Sequence, residues 1–142
     1  MATTRTASTH WEGNLLEGKG TVSLSSSNIG TYDVSWPARA EEPGGKTSPE
    51  ELIAAAHSSC YCMAFAHSLA GKGYTVTSLD TRADVTFQPP QGITAIKLTV
   101  RATVPGVSPE EFQAAAQDAK QNCPVSKALT GVPEITLDAQ LV

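Results

Sequence analysis

A chain of 142 residues, 40% of them hydrophobic and 17% charged, has the size and composition of one globular domain, and we expect a single domain over residues 1–142. The formal net charge of -4 gives no electrostatic reason to expect nucleic acid or an anionic membrane as a partner. The N-terminal stretch has no apolar signal region, and polar residues interrupt the most apolar segment, 52–70, so the sequence predicts a soluble, cytoplasmic protein.

The chain begins with a predicted β-hairpin. Apolar residues alternate in "GTVSLSSS" and "GTYDVSW", which indicates two strands around a turn at 28–30. The following stretch, "PARAEEPGGKT" (37–47), carries two prolines and two glycines and has no periodicity. We therefore predict an exposed loop that contains Arg39.

A long helix is predicted for "SPEELIAAAHSSCYCMAFAHSLAGKG". Ser48 is the expected N-cap, Pro49 the first helical residue and Glu51 the partner in a capping box, while Gly71 and Gly73 mark the end. Apolar or small side chains occur nearly all round this helix. Such a pattern indicates a central helix that is enclosed by other structure.

Two further strands, a second helix and a last strand follow. The alternating segments "TVTSLDTRADVTF" and "ITAIKLTVRATV", joined by "QPPQG", predict neighbouring antiparallel strands. A second S-P-E-E sequence at Ser108 begins a helix with Phe112, Ala115 and Ala119 on one face, and Pro124 interrupts it. "EITLDAQL" alternates as the final strand. Nothing else around the two S-P-E-E sequences repeats, so we interpret them as independent helix starts.

Three cysteines in a reducing compartment argue against a permanent disulfide framework and leave reactive, metal-binding or buried thiols as alternatives. Side chains two positions apart on a helix point about 200° apart, so Cys60 and Cys62 cannot form a disulfide unless the helix unwinds. A zinc site from His57, Cys60 and His67, which lie near one helical face, is an alternative that would use only one cysteine.

Cys123 lies in different surroundings. "NCPVSKAL" places it directly before Pro124, where a new short helix can begin with Cys123 as its N-cap. Free N–H groups and the positive end of the helix dipole would favour a thiolate there. The alternative for Cys123 and Cys60 is an unreactive, buried thiol. This interpretation applies more strongly to Cys62.

Three separated motifs together resemble one protein family. "SPEELIAAAHSSC", an arginine upstream in "PARAEE" and a cysteine downstream in "CPVSKAL" are similar to the OsmC/Ohr family of thiol-dependent hydroperoxide reductases, and to its OsmC branch in particular. The resemblance extends from "HWEGNLLEGKGTVS" to "EITLDAQL". It implies an α+β, OsmC-like fold in which antiparallel β-sheets wrap around long central helices, in an intertwined homodimer with active sites at its interface.

The resemblance also implies roles for four residues. Cys60 corresponds to the family's peroxidatic cysteine and Cys123 to its resolving cysteine, while Arg39 and Glu50 match the active-site arginine and glutamate. The implied activity is that of a peroxidase in the oxidative and osmotic stress response, which reduces organic hydroperoxides and hydrogen peroxide to alcohols or water. A Cys60 sulfenic acid and a Cys60–Cys123 disulfide are the intermediates, an external dithiol such as a lipoyl-type dithiol recycles the enzyme, and no metal or organic cofactor is required.

The sequence allows alternatives for Cys62, for His57, for the function and for the contact between Glu50 and Cys60. Cys62 falls where the family does not require cysteine, and His57 belongs to the OsmC-like pattern either as a catalytic group or as a packed, hydrogen-bonded ring. A redox-sensing or small-molecule-binding domain without turnover is the alternative function. Glu50 and Cys60 are about 15 Å apart along one helix, so either Arg39 spans the gap or Glu50 meets the Cys60 of a second subunit.

Overall fold

A computed structural model describes residues 1–142 and contains two three-stranded sheets and four helices. In chain order the elements are β1 (Ser8–Glu12), β2 (Lys19–Ser23), β3 (Thr31–Val34), α1 (Trp36–Ala40), α2 (Pro49–Gly71), β4 (Ser78–Gln88), β5 (Gly92–Thr103), α3 (Pro109–Asn122), α4 (Pro124–Ala128) and β6 (Glu134–Leu141). The chain divides into two compact units, Met1–Leu52 and Ile53–Val142. None of the four helices combines the length and hydropathy needed to cross a bilayer.

The first unit contains the antiparallel sheet β1-β2-β3. The predicted hairpin is confirmed as β2 and β3, and Asn28 in the turn has a φ of 56°, which asparagine tolerates. Gly20 in β2 is required by packing, because a Cβ at this position would lie 2.7 Å from the Trp11 ring. Strand β1 was not predicted, since its five residues are all exposed and have no buried face.

The stretch predicted as a loop is helical in its first part. Ser35 is extended and its hydroxyl accepts the N–H of Ala38 at 3.2 Å, while Pro37 occupies the first turn, where a missing N–H costs nothing. These two local features favour the five-residue helix α1. The loop prediction was therefore wrong around Arg39, which lies in the last turn of α1.

The second unit contains the sheet β4-β5-β6. The antiparallel pairing predicted for β4 and β5 is confirmed, whereas β6 pairs with β5 in parallel. The long connection through α3 and α4 permits this direction. The sheet is thus mixed rather than wholly antiparallel. Helices α3 and α4 and strand β6 occur where the sequence predicts them.

The core of the second unit lies between α2, α3 and the sheet. Tyr61, Phe65 and Leu69 recur every four residues on α2 and are fully buried. They form one cluster with alternate residues of β5 and with the apolar face predicted for α3. The remaining members of this cluster are Leu98, Val100, Ala102, Val104, Phe112, Ala115, Ala116, Ala119 and Ala139.

The exposed side of α2 carries several apolar side chains beside the exposed Ser59 and His67. Met63 is 73% exposed, and Ala55 and Ala56 are exposed as well. The sequence predicts a helix that is enclosed on all sides, but a single chain buries only one stripe of it. The other side of α2 is therefore an exposed surface in the single chain.

Candidate active site

Two free thiols that are 63 positions apart in the sequence lie side by side. The Sγ atoms of Cys60 and Cys123 are 3.1 Å apart, which is hydrogen-bonding distance. Cys60 projects from the middle of α2 and is partly exposed, whereas Cys123 is fully buried. Closing a disulfide would require the sulfur atoms to approach by about 1 Å more.

The junction of α3 and α4 positions Cys123. Helix α3 ends at Asn122, Pro124 begins α4, and Cys123 between them caps both helices with an extended backbone, φ -57° and ψ 121°. The predicted N-cap position of Cys123 is confirmed. Cys123 therefore lies next to the first backbone N–H groups of α4, which have no partner within the helix, although its side chain makes no capping hydrogen bond.

The electrostatic surroundings of the two thiols differ. Burial raises the pKa of Cys60, the backbone N–H of Val125 acts in the opposite direction, and the hydrogen bond and charge of Cys123 raise it further. Burial also opposes ionisation of Cys123, but the N–H of Ser126, the hydrogen bond shared with Cys60, the Ser126 hydroxyl and the N–H of Val125 outweigh burial and lower its pKa. A negative charge in the reduced pair is therefore held more readily by Cys123 than by Cys60.

His57 lies one turn before Cys60 and is fully buried. Its Nε2 is 2.7 Å from the Oγ of Ser126, and its Nδ1 is buried without a hydrogen-bond partner. Burial lowers the pKa of His57, so the imidazole is neutral near pH 7. The ring is packed and hydrogen bonded, which was one of the two interpretations of the sequence.

The lowered pKa of His57 predicts that the folded protein loses stability in mild acid. As pH falls below the unfolded value of about 6.5, the unfolded chain binds a proton that the folded chain does not, so the free energy of unfolding decreases. The slope is at most about 1.4 kcal/mol per pH unit. Urea unfolding at one protein concentration, from about pH 7.5 to 5.5, measures this slope.

His57→Gln should remove the part of the acid-induced decrease in the free energy of unfolding that comes from His57. His67→Gln, a change at an exposed histidine of the same helix, should leave this decrease unchanged. An equal acid slope in wild type and His57→Gln would assign the effect to another group.

Arg39 and Glu50 form a bidentate ion pair. The Nε of Arg39 donates to Oε1 of Glu50 at 3.0 Å, and its Nη2 donates to Oε2 at 2.9 Å. Glu50 is only 7% exposed, so this carboxylate is largely removed from water and holds the guanidinium in a fixed orientation. The structure brings together Arg39 with Glu50 and, separately, Cys60 with Cys123.

Cys62 contacts a different partner from Cys60, as helical geometry predicts. Its Sγ donates to Oγ1 of Thr81 on β4 at 3.1 Å, and it lines an open cavity of about 480 Å³. His57 is buried and His67 exposed, and no group of three His, Cys, Asp or Glu side chains is placed to hold a metal ion. The zinc alternative therefore has no assembled ligand set.

Ser126 is the site residue that sequence reasoning missed. It lies three positions after Cys123, which places it one turn further along α4 and near the same face. The spacing in "CPVS" could have indicated contact with the cysteine. Its partner His57, 69 positions away, could not have been found from spacing.

Comparisons with known proteins identify a family and relatives for this chain. The model of a family described as OsmC-like protein matches residues 42–138. Peroxiredoxin OsmC of Escherichia coli strain K12 is 44% identical over 135 residues, which cover 93% of this chain and 92% of that protein. Organic hydroperoxide resistance protein OhrA of Bacillus subtilis strain 168 is 30% identical over 119 residues, with coverage of 81% and 84%.

A solved structure has the same fold. The organic hydroperoxide resistance protein OsmC of Legionella pneumophila superimposes with a TM-score of 0.75 at 23% identity, covering 99% of this chain and 98% of that chain. At this identity the likeness concerns the fold alone. The expected α+β, OsmC-like fold class is confirmed.

Proposed function

The chain belongs to the OsmC family, and we propose on that basis that it is a thiol-dependent peroxidase that reduces organic hydroperoxides and hydrogen peroxide. The observation that carries the proposal is the 3.1 Å separation of two reduced sulfur atoms, Cys60 Sγ and Cys123 Sγ. Relatives named peroxiredoxin and organic hydroperoxide resistance protein support the same activity.

The first step is attack of the Cys60 thiolate on one peroxide oxygen. A sulfur–oxygen bond forms, the oxygen–oxygen bond breaks, and the departing alkoxide takes up a proton to become an alcohol. Cys60 is oxidised to a sulfenic acid and the peroxide is reduced by two electrons. The partial exposure of Cys60, beside a fully buried Cys123, makes Cys60 the thiol that a peroxide reaches.

In the second step Cys123 attacks the sulfenic acid. A Cys60–Cys123 disulfide forms and the sulfenic oxygen leaves as water. An external dithiol of the lipoyl type then reduces the disulfide by thiol–disulfide exchange and restores both thiols. These steps require no metal or organic cofactor.

Arg39 supplies the stabilisation that Cys60 lacks. An ordinary thiol with a pKa of about 8.5 is already a few per cent ionised at pH 7, so full ionisation increases its reactivity only about 30-fold. Burial and the neighbouring Cys123 raise the pKa of Cys60 and so oppose even this increase in the thiolate fraction. We infer that a guanidinium held by Glu50 stabilises the thiolate and orients the peroxide and the departing oxygen, which are effects worth several kcal/mol.

A homodimer would bring the two pairs of residues together. Glu50 and Cys60 are ten positions apart on the continuous helix α2, which is about 15 Å along its axis and beyond the reach of a glutamate side chain. A second copy packed antiparallel on the exposed apolar side of α2 would cover Met63 and place the Glu50 of one copy towards the Cys60 of the other.

We expect analytical ultracentrifugation to show a dimer at the concentrations used for assay, and dilution into monomer to reduce the specific activity. Samples assayed at each concentration after equilibration provide the comparison. A monomer that keeps full activity would contradict the shared site.

Turnover distinguishes this enzyme from the alternative function. With a dithiol present, an organic hydroperoxide such as cumene hydroperoxide should be consumed in many equivalents per protein chain. A redox-sensing or ligand-binding domain would stop after one equivalent even with excess dithiol, and that result would reject the peroxidase proposal.

A further inference from the structure

A chain of three buried side chains leads from α2 to the resolving thiol. The Nε2 of His57 contacts the Oγ of Ser126 at 2.7 Å, and Ser126 lies in α4 three positions after Cys123, where its hydroxyl acts to lower the pKa of the thiol. His57 and Cys123 are fully buried and Ser126 is 8% exposed, so water has almost no access to compete for these contacts.

A Ser126 hydroxyl that donates to Cys123 sets the direction of its hydrogen bond with His57. A hydroxyl has one proton, and when the Ser126 hydroxyl donates it to the Cys123 thiolate, its oxygen can only accept from Nε2 of His57. A neutral imidazole has one ring proton, which must then be on Nε2. The unpartnered Nδ1 is in that case a bare lone pair, consistent with the absence of any acceptor around it.

We propose that His57 is a positioning residue for the resolving step: its Nε2–H orients the Ser126 hydroxyl so that the hydroxyl proton points at the sulfur of Cys123. The proposal rests on the proposed peroxidase function and deepens it. His57 touches neither peroxide nor dithiol and acts only through Ser126.

The step that benefits is closure of the disulfide. The Cys123 thiolate attacks the sulfur of the Cys60 sulfenic acid, a sulfur–sulfur bond forms and the sulfur–oxygen bond breaks. The departing hydroxide combines with the proton that Cys123 released on ionising, so one water is produced and no further reactant is needed. A hydroxyl that donates to Cys123 raises the fraction of attacking thiolate.

Other titratable groups near Cys123 do not serve this purpose. Tyr61 donates its hydroxyl to the backbone oxygen of Ala116 at 2.9 Å, and burial raises its pKa, so it stays neutral and is already engaged. Cys60 is the sulfur under attack. His57, through Ser126, is the remaining titratable group of α2 in this environment.

The test first isolates the resolving thiol. In a Cys60→Ala/Cys62→Ser background Cys123 is the only thiol, and its ionisation can be followed by the ultraviolet absorbance of the thiolate against pH. Ser126→Ala and His57→Leu should move this titration to higher pH, whereas His57→Gln, whose amide nitrogen can replace Nε2 as donor, should leave it near the parent value. Ser59→Ala, at an exposed serine of α2, is the matched control.

The second readout uses the chain with all three cysteines. After one addition of cumene hydroperoxide, rapid quenching and mass spectrometry follow sulfenic acid formation and disulfide closure separately. Ser126→Ala and His57→Leu should slow closure about tenfold near pH 7 without slowing sulfenic acid formation, and the difference should shrink as pH rises.

The outcomes separate the two proposals. Absence of sulfenic acid and disulfide in the wild-type chain would reject the peroxidase function itself. Normal chemistry in wild type with an unchanged closure rate in folded Ser126→Ala would overturn the positioning role alone. A loss in His57→Gln as large as in His57→Leu would also overturn it, because the donor would then be irrelevant.

Discussion

Replacing Cys60 with serine is expected to abolish dithiol-dependent peroxide consumption, with a loss of more than about a thousandfold. A serine hydroxyl has no accessible anion near neutral pH and cannot be oxidised to a sulfenic acid, so no intermediate forms for Cys123 to attack. The change from sulfur to oxygen is small, and the fold should be retained. Peroxide consumption in the presence of excess dithiol measures the loss.

The other two cysteines provide matched serine variants. Cys123→Ser should consume the first equivalent of peroxide at a normal rate and then accumulate Cys60 sulfenic acid, because the neighbouring sulfur at 3.1 Å is gone. Cys62→Ser should keep most of the activity, since this side chain contacts Thr81 and not the thiol pair. A Cys62→Ser enzyme as inactive as Cys60→Ser would contradict the assignment of roles.

Arg39→Lys is expected to reduce kcat/KM about a hundredfold although it keeps the positive charge. Lysine has no planar guanidinium, so it cannot make the two parallel hydrogen bonds that join Arg39 to Glu50. It also has no further N–H groups in the same plane that could donate to a peroxide. Steady-state kinetics with an organic hydroperoxide and excess dithiol measure the effect.

A second bidentate pair supplies the control for this prediction. Arg82 donates to Oδ1 of Asp84 from Nε at 2.9 Å and from Nη2 at 2.7 Å, and from Nε to Oδ2 at 3.1 Å, but its side chain is 76% exposed, and an exposed pair contributes little. Arg82→Lys should therefore leave activity unchanged. Near-normal activity of Arg39→Lys would remove Arg39 from the mechanism.

Helix boundaries were the most predictable part of the fold, because their signals are local. Ser108 accepts the N–H of Glu111, and Ser48 accepts that of Glu51, as the two S-P-E-E sequences predict. Helix α1 was missed because it has only five residues and lies in a stretch rich in proline and glycine. The parallel direction of β6 could not be predicted, since alternation within one strand does not specify its neighbour.

The site was predictable only in part. Pro124 correctly indicated a helix beginning after Cys123, but spacing alone could not pair Cys123 with Cys60 across 63 positions; that pairing was implied by resemblance to a family. The contact of His57 with Ser126 joins α2 to α4 through tertiary packing, which no local pattern encodes. Individual reactive residues could thus be identified from the sequence, whereas the residues that they contact are determined by the fold.

The most direct test of the proposed chemistry is to treat the reduced chain with one equivalent of cumene hydroperoxide, quench it rapidly and map its thiols by non-reducing peptide mass spectrometry. We expect a Cys60–Cys123 disulfide with Cys62 still free. Three reduced thiols after this exposure would contradict the peroxidase function and favour a binding or structural role for the thiols of α2.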